Sequence, residues 1–396
     1  MSMAEMFKHF RFFLQQIIIK TVFYMKKSGI DKFFKLRQQN MKLYRIISGL
    51  LLLTFITASL PAQVNNCNIR KSFPVTTGNA FILSNKYGDV SVITGKEDSL
   101  VVCATISIIQ EDKDLFKKSM NMVNVNIDKL KDTIYVATVY DKKFFNEDVR
   151  QGRTSFSVDY LVKVPVFMDI RITDDFGNVA LEELAGPLNI RLSQGILSIK
   201  KLTRGNLKPV SSISVDYGEV TIDEVNWLAL TLLNCPSVNI GKAQALNLTS
   251  VISKIYIEDV SSMVSNSKSD IYSISSVNNL SSESTYSEFD IGSLNNQLKS
   301  KITYGSLKIH EVNKAFRSID IASTQARVTL LTGPVRSFIT DININDAQVD
   351  FPSEKFPQVI KTTANSSINL IGIAGPDKQT KSVIKIRATG GRVIVE

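Results

Sequence analysis

The sequence predicts an all-β chain: an N-terminal β-rich head, then a single-stranded parallel β-helix (a β-solenoid) with coils of about 18 residues. Three observations carry this. First, a phrase recurs through the second half: a small or polar anchor, then apolar side chains two, four and seven positions later. It reads Gly177 with Val179, Leu181 and Leu184, then Gly195 with Leu197, Ile199 and Leu202, then Gly218 with Val220, Ile222 and Val225. It returns at Ser253, Ser287 and Gly305, and weaker copies start at Pro236, Asp270, Ala326, Ala347, Ser366 and Gly391. Second, the steps between anchors are 18, 23, 18, 17, 17, 17, 18, 21, 21, 19 and 25 residues. Third, strand side chains alternate faces, so the anchor and its +2 and +4 positions point one way, inward. One coil cannot bury such a face, whereas coils stacked about 4.8 Å apart make a continuous core.

In chain order, residues 1–40 are expected to be an over-extended start rather than structure, because a leader begins at Met41. Met41 to Arg45 is a short basic stretch, followed by the apolar run Ile46 to Leu60 and by Pro61-Ala62-Gln63. That order reads as a secretory signal peptide over 41–62, cleaved after Ala62. Its 15-residue apolar run is shorter than the ~20 residues that span a bilayer, so no membrane span is expected after cleavage. Residues 1–62 hold ten Lys/Arg and two Asp/Glu, which is +8 of the chain's net +10. The remainder carries only +2, which removes the main support for nucleic-acid binding. Three cysteines, Cys67, Cys103 and Cys235, are too few and scattered for a disulfide framework and are expected as small buried or partly buried side chains.

Residues 63–165 read as an antiparallel β-rich head. Phe156, Val158, Tyr160, Val162 and Val164 alternate with polar residues, as do Ile134, Val136 and Thr138, and Val123, Val125 and Ile127. A short helix is expected within Asp112 to Val123. From 166 to 396 the phrase takes over. Ser250 to Ser306 holds 17 serines in 57 residues, a composition that suits a linker, yet the apolar register continues through it. The serines are therefore expected outside and at corners. Positions +5 and +6 of successive coils are Glu182-Glu183, Lys200-Lys201, Asp223-Glu224, Gly241-Lys242 and Glu258-Asp259. Their signs alternate, as in-register stacking would favour.

Asn85-Lys86-Tyr87-Gly88-Asp89-Val90-Ser91-Val92, then Tyr160-Leu161-Val162-Lys163-Val164-Pro165, then Asp175-Phe176-Gly177-Asn178-Val179, followed by the repeat, resemble the secreted bacterial "putative adhesin" family of β-solenoids. The resemblance covers roughly residues 73 to 396. It implies the fold and an envelope or extracellular location, and carries over no catalytic residue.

No catalytic, metal or cofactor site is expected. His310, outside the leader region, stands alone at an outward +5 position; no cysteine or histidine cluster has zinc spacing, and no serine has a partner base. The acidic pairs are interrupted by basic coils, against a polysaccharide-cleaving dyad. Asp174-Asp175 is not followed by calcium-loop spacing. Aromatics are the better candidates for contact. Tyr87, Phe176, Tyr217, Tyr286 and Tyr304 each precede an anchor, and Tyr286 and Tyr304 belong to neighbouring coils, where they could hold a sugar ring or a peptide. Phe144 and Phe145, in a charged loop, mark either a partner surface or packing onto the head. The lone Trp227 is expected to pack. The expected function is an exported, non-enzymatic binding or display scaffold for a glycan or an extracellular protein. The alternatives are a polysaccharide-active β-helix enzyme and a periplasmic component of an envelope-sensing system.

Overall fold

The computed structural model describes residues 69–396 apart from positions 97, 146, 151, 153, 334 and 336. The expected leader and start site lie outside them. The described residues form an all-β unit in which twenty-four strands share one open sheet. The expected short helix is α1 (Lys113–Met120), capped by Asp112, whose carboxylate accepts from the backbone N–H groups of Asp114 and Leu115.

Most of the sheet is parallel, and its register is the spacing read from the sequence. Val179 in β9 (Val179–Leu184) pairs with Leu197 in β11 (Ile196–Leu202), which pairs with Val220 in β13 (Glu219–Leu233). Val220 pairs with Val238 in β14 (Ser237–Val251), then come Ile255 in β15 (Lys254–Lys268), Tyr272 in β16 (Ile271–Thr285) and Phe289 in β17 (Glu288–Thr303). The +2, +4 and +7 side chains are buried throughout, as are Leu228, Leu230 and Leu232 of the second half of β13. The anchors explain themselves physically. A Cβ at Gly177, Gly195, Gly218 or Gly305 would fall onto the carbonyl of the neighbouring strand's anchor, Gly88, Gly177, Gly195 and Ser287 respectively. Where the anchor is polar, its side chain takes up a backbone N–H instead: Cys235 N–H donates to Ser253 Oγ at 3.1 Å, Ser253 N–H to Asp270 Oδ1 at 2.8 Å, and Asp270 N–H to Ser287 Oγ at 3.2 Å.

The N-terminal strands mix both senses. β1 (Ile69–Pro74), β4 (Ser99–Ile109) and β7 (Ser155–Pro165) are antiparallel, as are β5 (Val123–Leu130) and β6 (Thr133–Tyr140). β2 (Ala80–Lys86) and β3 (Val90–Gly95) instead pair in parallel with β8 (Asp169–Asp175) and β9, and one apolar core runs from Val75 to Val395.

Three expectations are corrected. Eight serines of the Ser250–Ser306 stretch (250, 253, 265, 267, 282, 284, 287 and 300) are buried rather than outward. They lie beside two large rings and a buried carboxylate: Tyr272 and Phe289 occupy +2 positions elsewhere filled by aliphatics and stack inside the protein at 4.3 Å, the Ser250 and Ser267 hydroxyls donate to Asp270, and Ser282 donates to Ser300. Second, the strand order stops following the sequence near residue 330. β24 (Val383–Val395) pairs in parallel with β19 (Ser318–Leu330) on one side and with β20 (Phe338–Asn345) and β21 (Gln348–Asp350) on the other. The copy at Ser366 lies in a hairpin of β22 (Ile360–Ala364) and β23 (Ser367–Ala374), and β23 is antiparallel to β20. Third, Cys103 is disulfide-bonded, so it is not simply a small side chain, whereas Cys235 is free and buried as expected.

Candidate functional site

The residue one position before each anchor, or two before it at Pro236, is held in the left-handed region. Tyr87, Phe176, Gln194, Tyr217, Asn234, Ile252, Ser269, Tyr286, Tyr304 and Gln325 all have φ between 51° and 63°. The N–H of each donates to the carbonyl just before the next: Tyr87 to Asp175, Phe176 to Ser193, Gln194 to Asp216, and so on to Tyr304 and Thr324, at 2.8–3.0 Å. These corners therefore form one in-register row, with side chains turned outward. Phe176 is 43 % exposed, Tyr217 58 %, Ile252 56 %, Tyr286 58 % and Tyr304 49 %.

Two pairs of rings stack along the row. Tyr286 and Tyr304 lie at 5.1 Å and 12°, which brings together the two tyrosines singled out from the sequence. Tyr87 and Phe176 lie at 5.0 Å and 13°, with the Lys86 ammonium 5.1 Å from the tyrosine ring and 5.5 Å from the phenylalanine ring. Phe144 and Phe145 are not part of an open surface. Phe144 is fully buried, Phe145 half-buried, and both pack with Tyr140 and Phe156 beside Tyr87. Their two rings give that charged loop an apolar attachment to the sheet. His310 is exposed and its Nε2 lies 2.6 Å from Asp290 Oδ1, a hydrogen-bond partner on the neighbouring strand.

Across the middle of the long strands lies a groove of about 640 Å³, which sequence reasoning missed. It crosses β13 to β19, with half-buried Trp227 at one end and Ala245, Ser262, Asn279 and Gln297 along its floor. Short side chains one strand step apart were the available signal; none is distinctive alone.

Two buried carboxylates differ in what surrounds them. Asp270 accepts from the Ser250 and Ser267 hydroxyls (3.0 and 2.6 Å) and from the Ser253 and Lys268 N–H groups (2.8 and 3.1 Å). Burial still raises its pKa, against those hydrogen bonds. Asp174 is fully buried and neither oxygen has a hydrogen-bond partner, since the Asn85 amide is directed to the carbonyls of Gly88 and Val158. Burial first, then the charges of Asp175 and Asp89, push it up to about 7. Among the described residues no group of three or more His, Cys, Asp or Glu side chains could hold a metal ion.

Three solved structures are similar to this chain. A crystal structure described as a "putative adhesin" from Parabacteroides distasonis ATCC 8503 has 11 % identity and a TM-score of 0.33, covering 83 % of this chain and 96 % of its own. One from Parabacteroides merdae ATCC 43184, described in the same words, has 11 % identity and a TM-score of 0.30, covering 83 % and 95 %. A "putative cell adhesion protein" from Clostridium sporogenes ATCC 15579 has 8 % identity and a TM-score of 0.15, covering 83 % and 98 %. No family model and no curated protein matches the sequence. Among the described residues no helix is long and apolar enough to cross a membrane.

Proposed function

We propose that the chain is an exported, non-enzymatic scaffold of the adhesin type, a β-solenoid over residues 166–396 on a head over 63–165, which binds glycan or extracellular protein at the Tyr286–Tyr304 strip. The observation that carries the binding role is the pair itself: two large rings, stacked and about half-exposed, on a row of outward side chains. Ring faces of this kind suit sugars or extended peptides. The solenoid reading is supported by parallel registers that advance by 18, 23, 18, 17, 17 and 17 residues from Val179 to Phe289. Export is supported by the leader-like order from Met41 to Ala62 and by a disulfide-bonded Cys103, because disulfides persist in oxidising compartments.

A glycan and matrix-protein array tests the binding role, run with the protein and with Tyr286→Ala/Tyr304→Ala. The double variant should keep its β-sheet circular dichroism and lose at least tenfold in affinity for the best array ligand. Unchanged affinity in a folded double variant would remove the site. Turnover of any polysaccharide in a parallel degradation screen would replace the scaffold reading with the enzyme.

A further inference from the structure

We propose that the notch over Ser269, between Ile252 and Tyr286, is a slot for one uncharged pyranose ring at the end or side branch of a glycan. It rests on the binding role proposed above and gives that role a ligand class and an address. The row of corners alternates here: Phe176, Tyr217, Ile252 and Tyr286 are separated by Gln194, Asn234 and Ser269. Large apolar side chains thus stand two strand steps apart, about 9.6 Å, with a smaller polar one between. Serine is the smallest of the three, so the slot over Ser269 is the emptiest. One wall is a ring face, because Tyr286 stacks with Tyr304 on its other side.

The fold does not ask for these walls. A left-handed corner is served best by glycine or asparagine, and a bulky or β-branched residue there is strained. Ile252 sits at φ 54° and Tyr286 at 55°, and both side chains are more than half exposed, so neither offsets that strain by core packing. Contact with a ligand accounts for both. The row from Phe176 to Gln325 has no charged side chain, which matches an uncharged ligand.

The chemistry of the walls selects the ring. A pyranose can lay its C–H face on the Tyr286 ring while the Ser269 hydroxyl between the walls donates to or accepts from a sugar hydroxyl.

Saturation-transfer NMR with neutral methyl pyranosides, their sulfated and carboxylated counterparts, and a tyrosine-containing peptide tests this. Neutral pyranosides should bind at millimolar concentration and the charged ones at least fivefold more weakly. Ser269→Tyr extends the Tyr286–Tyr304 stack into the notch and should abolish binding, whereas Ser269→Ala should keep most of it. Ile252→Ser, which removes the opposite wall without filling the slot, should weaken binding at least fivefold and guards against misfolding of the tyrosine variant. Full binding by Ser269→Tyr and Ile252→Ser, with loss in Tyr286→Ala/Tyr304→Ala, would overturn the slot and leave the tyrosine strip. Binding of the peptide but no pyranoside would also overturn it. Binding unaffected by any of these substitutions would remove both the slot and the strip.

Discussion

At Asp174 a single carboxylate sets a pH dependence. In the unfolded chain it titrates near the ordinary carboxylate value of 3.8, and in the fold near 7. The fold therefore favours its protonated form. Its own contribution to stability is undiminished below about pH 4, falls as pH rises from about 4 to 7, and stays reduced above. Asp174→Asn should flatten that slope, with a melting temperature at or above the parent's at pH 8; an unchanged slope between pH 4 and 8 would place the titration elsewhere. Ile257 and its neighbour Tyr256 test the strand register. Ile257 is fully buried and Tyr256 exposed. Ile257→Asp should remove about 1.5–3 kcal/mol of apolar burial and add an unpaired buried charge, whereas Tyr256→Asp should be mild. Equal thermal shifts for the two would contradict the alternation. The inward register of Ile257 was legible from its phrase. The inward serines were not, because serine is compatible with both faces and its buried partners, such as Asp270 for Ser250 and Ser267, come from other strands or beyond the strand end.

Between strands, alternation of charge becomes ion pairing. Lys200 reaches Glu182 at 3.2 Å, Lys201 reaches Glu224 at 2.9 Å, and the register carries the series on from Glu224 to Lys242 and Asp259. Reversing Lys200 and Lys201 to Glu would set like charges one strand step from Glu182, Glu183, Asp223 and Glu224. It should lower the melting temperature at low salt more than reversing Lys378 and Lys381, which lie outside the series. The difference should shrink at high salt because exposed pairs are screened. Equal shifts at low salt would count against this pairing. This ladder could be read from the sequence, since it needs only the period and the signs. The corner row could be read in part: the aromatics stood out, while Gln194, Asn234 and Ser269 gained meaning only from the shared backbone conformation.

For the whole molecule, the parallel ladder joins the N-terminal strands β2 and β3 to the later ones through a shared core, and ends in a region where order in space departs from order in sequence. The phrase at Gly391 was visible, but its neighbours were not, because every copy is compatible with either side of any other and only the pairing of β24 selects. Deleting residues 383–396 should leave β19, β20 and β21 with open edges and remove Ile384, Ile386, Val393 and Val395 from the core. The expected result is aggregation on size exclusion; a monodisperse, cooperatively melting product would show that β24 is dispensable.

The place of β24 also fixes a sequence of events. Residues 338–350 emerge before residues 383–395 from any ribosome or translocation pore, yet β20 and β21 come to rest one strand further from β19 than β24 does. Direct zippering of β20 onto β19 would fill the slot that β24 needs. The edge of β19 must therefore stay vacant, or be vacated, until 52 intervening residues have passed. Growth of the ladder by simple addition ends there, and the chain completes its fold by insertion, so a pause in delivery after residue 350 is where a wrong pairing would form.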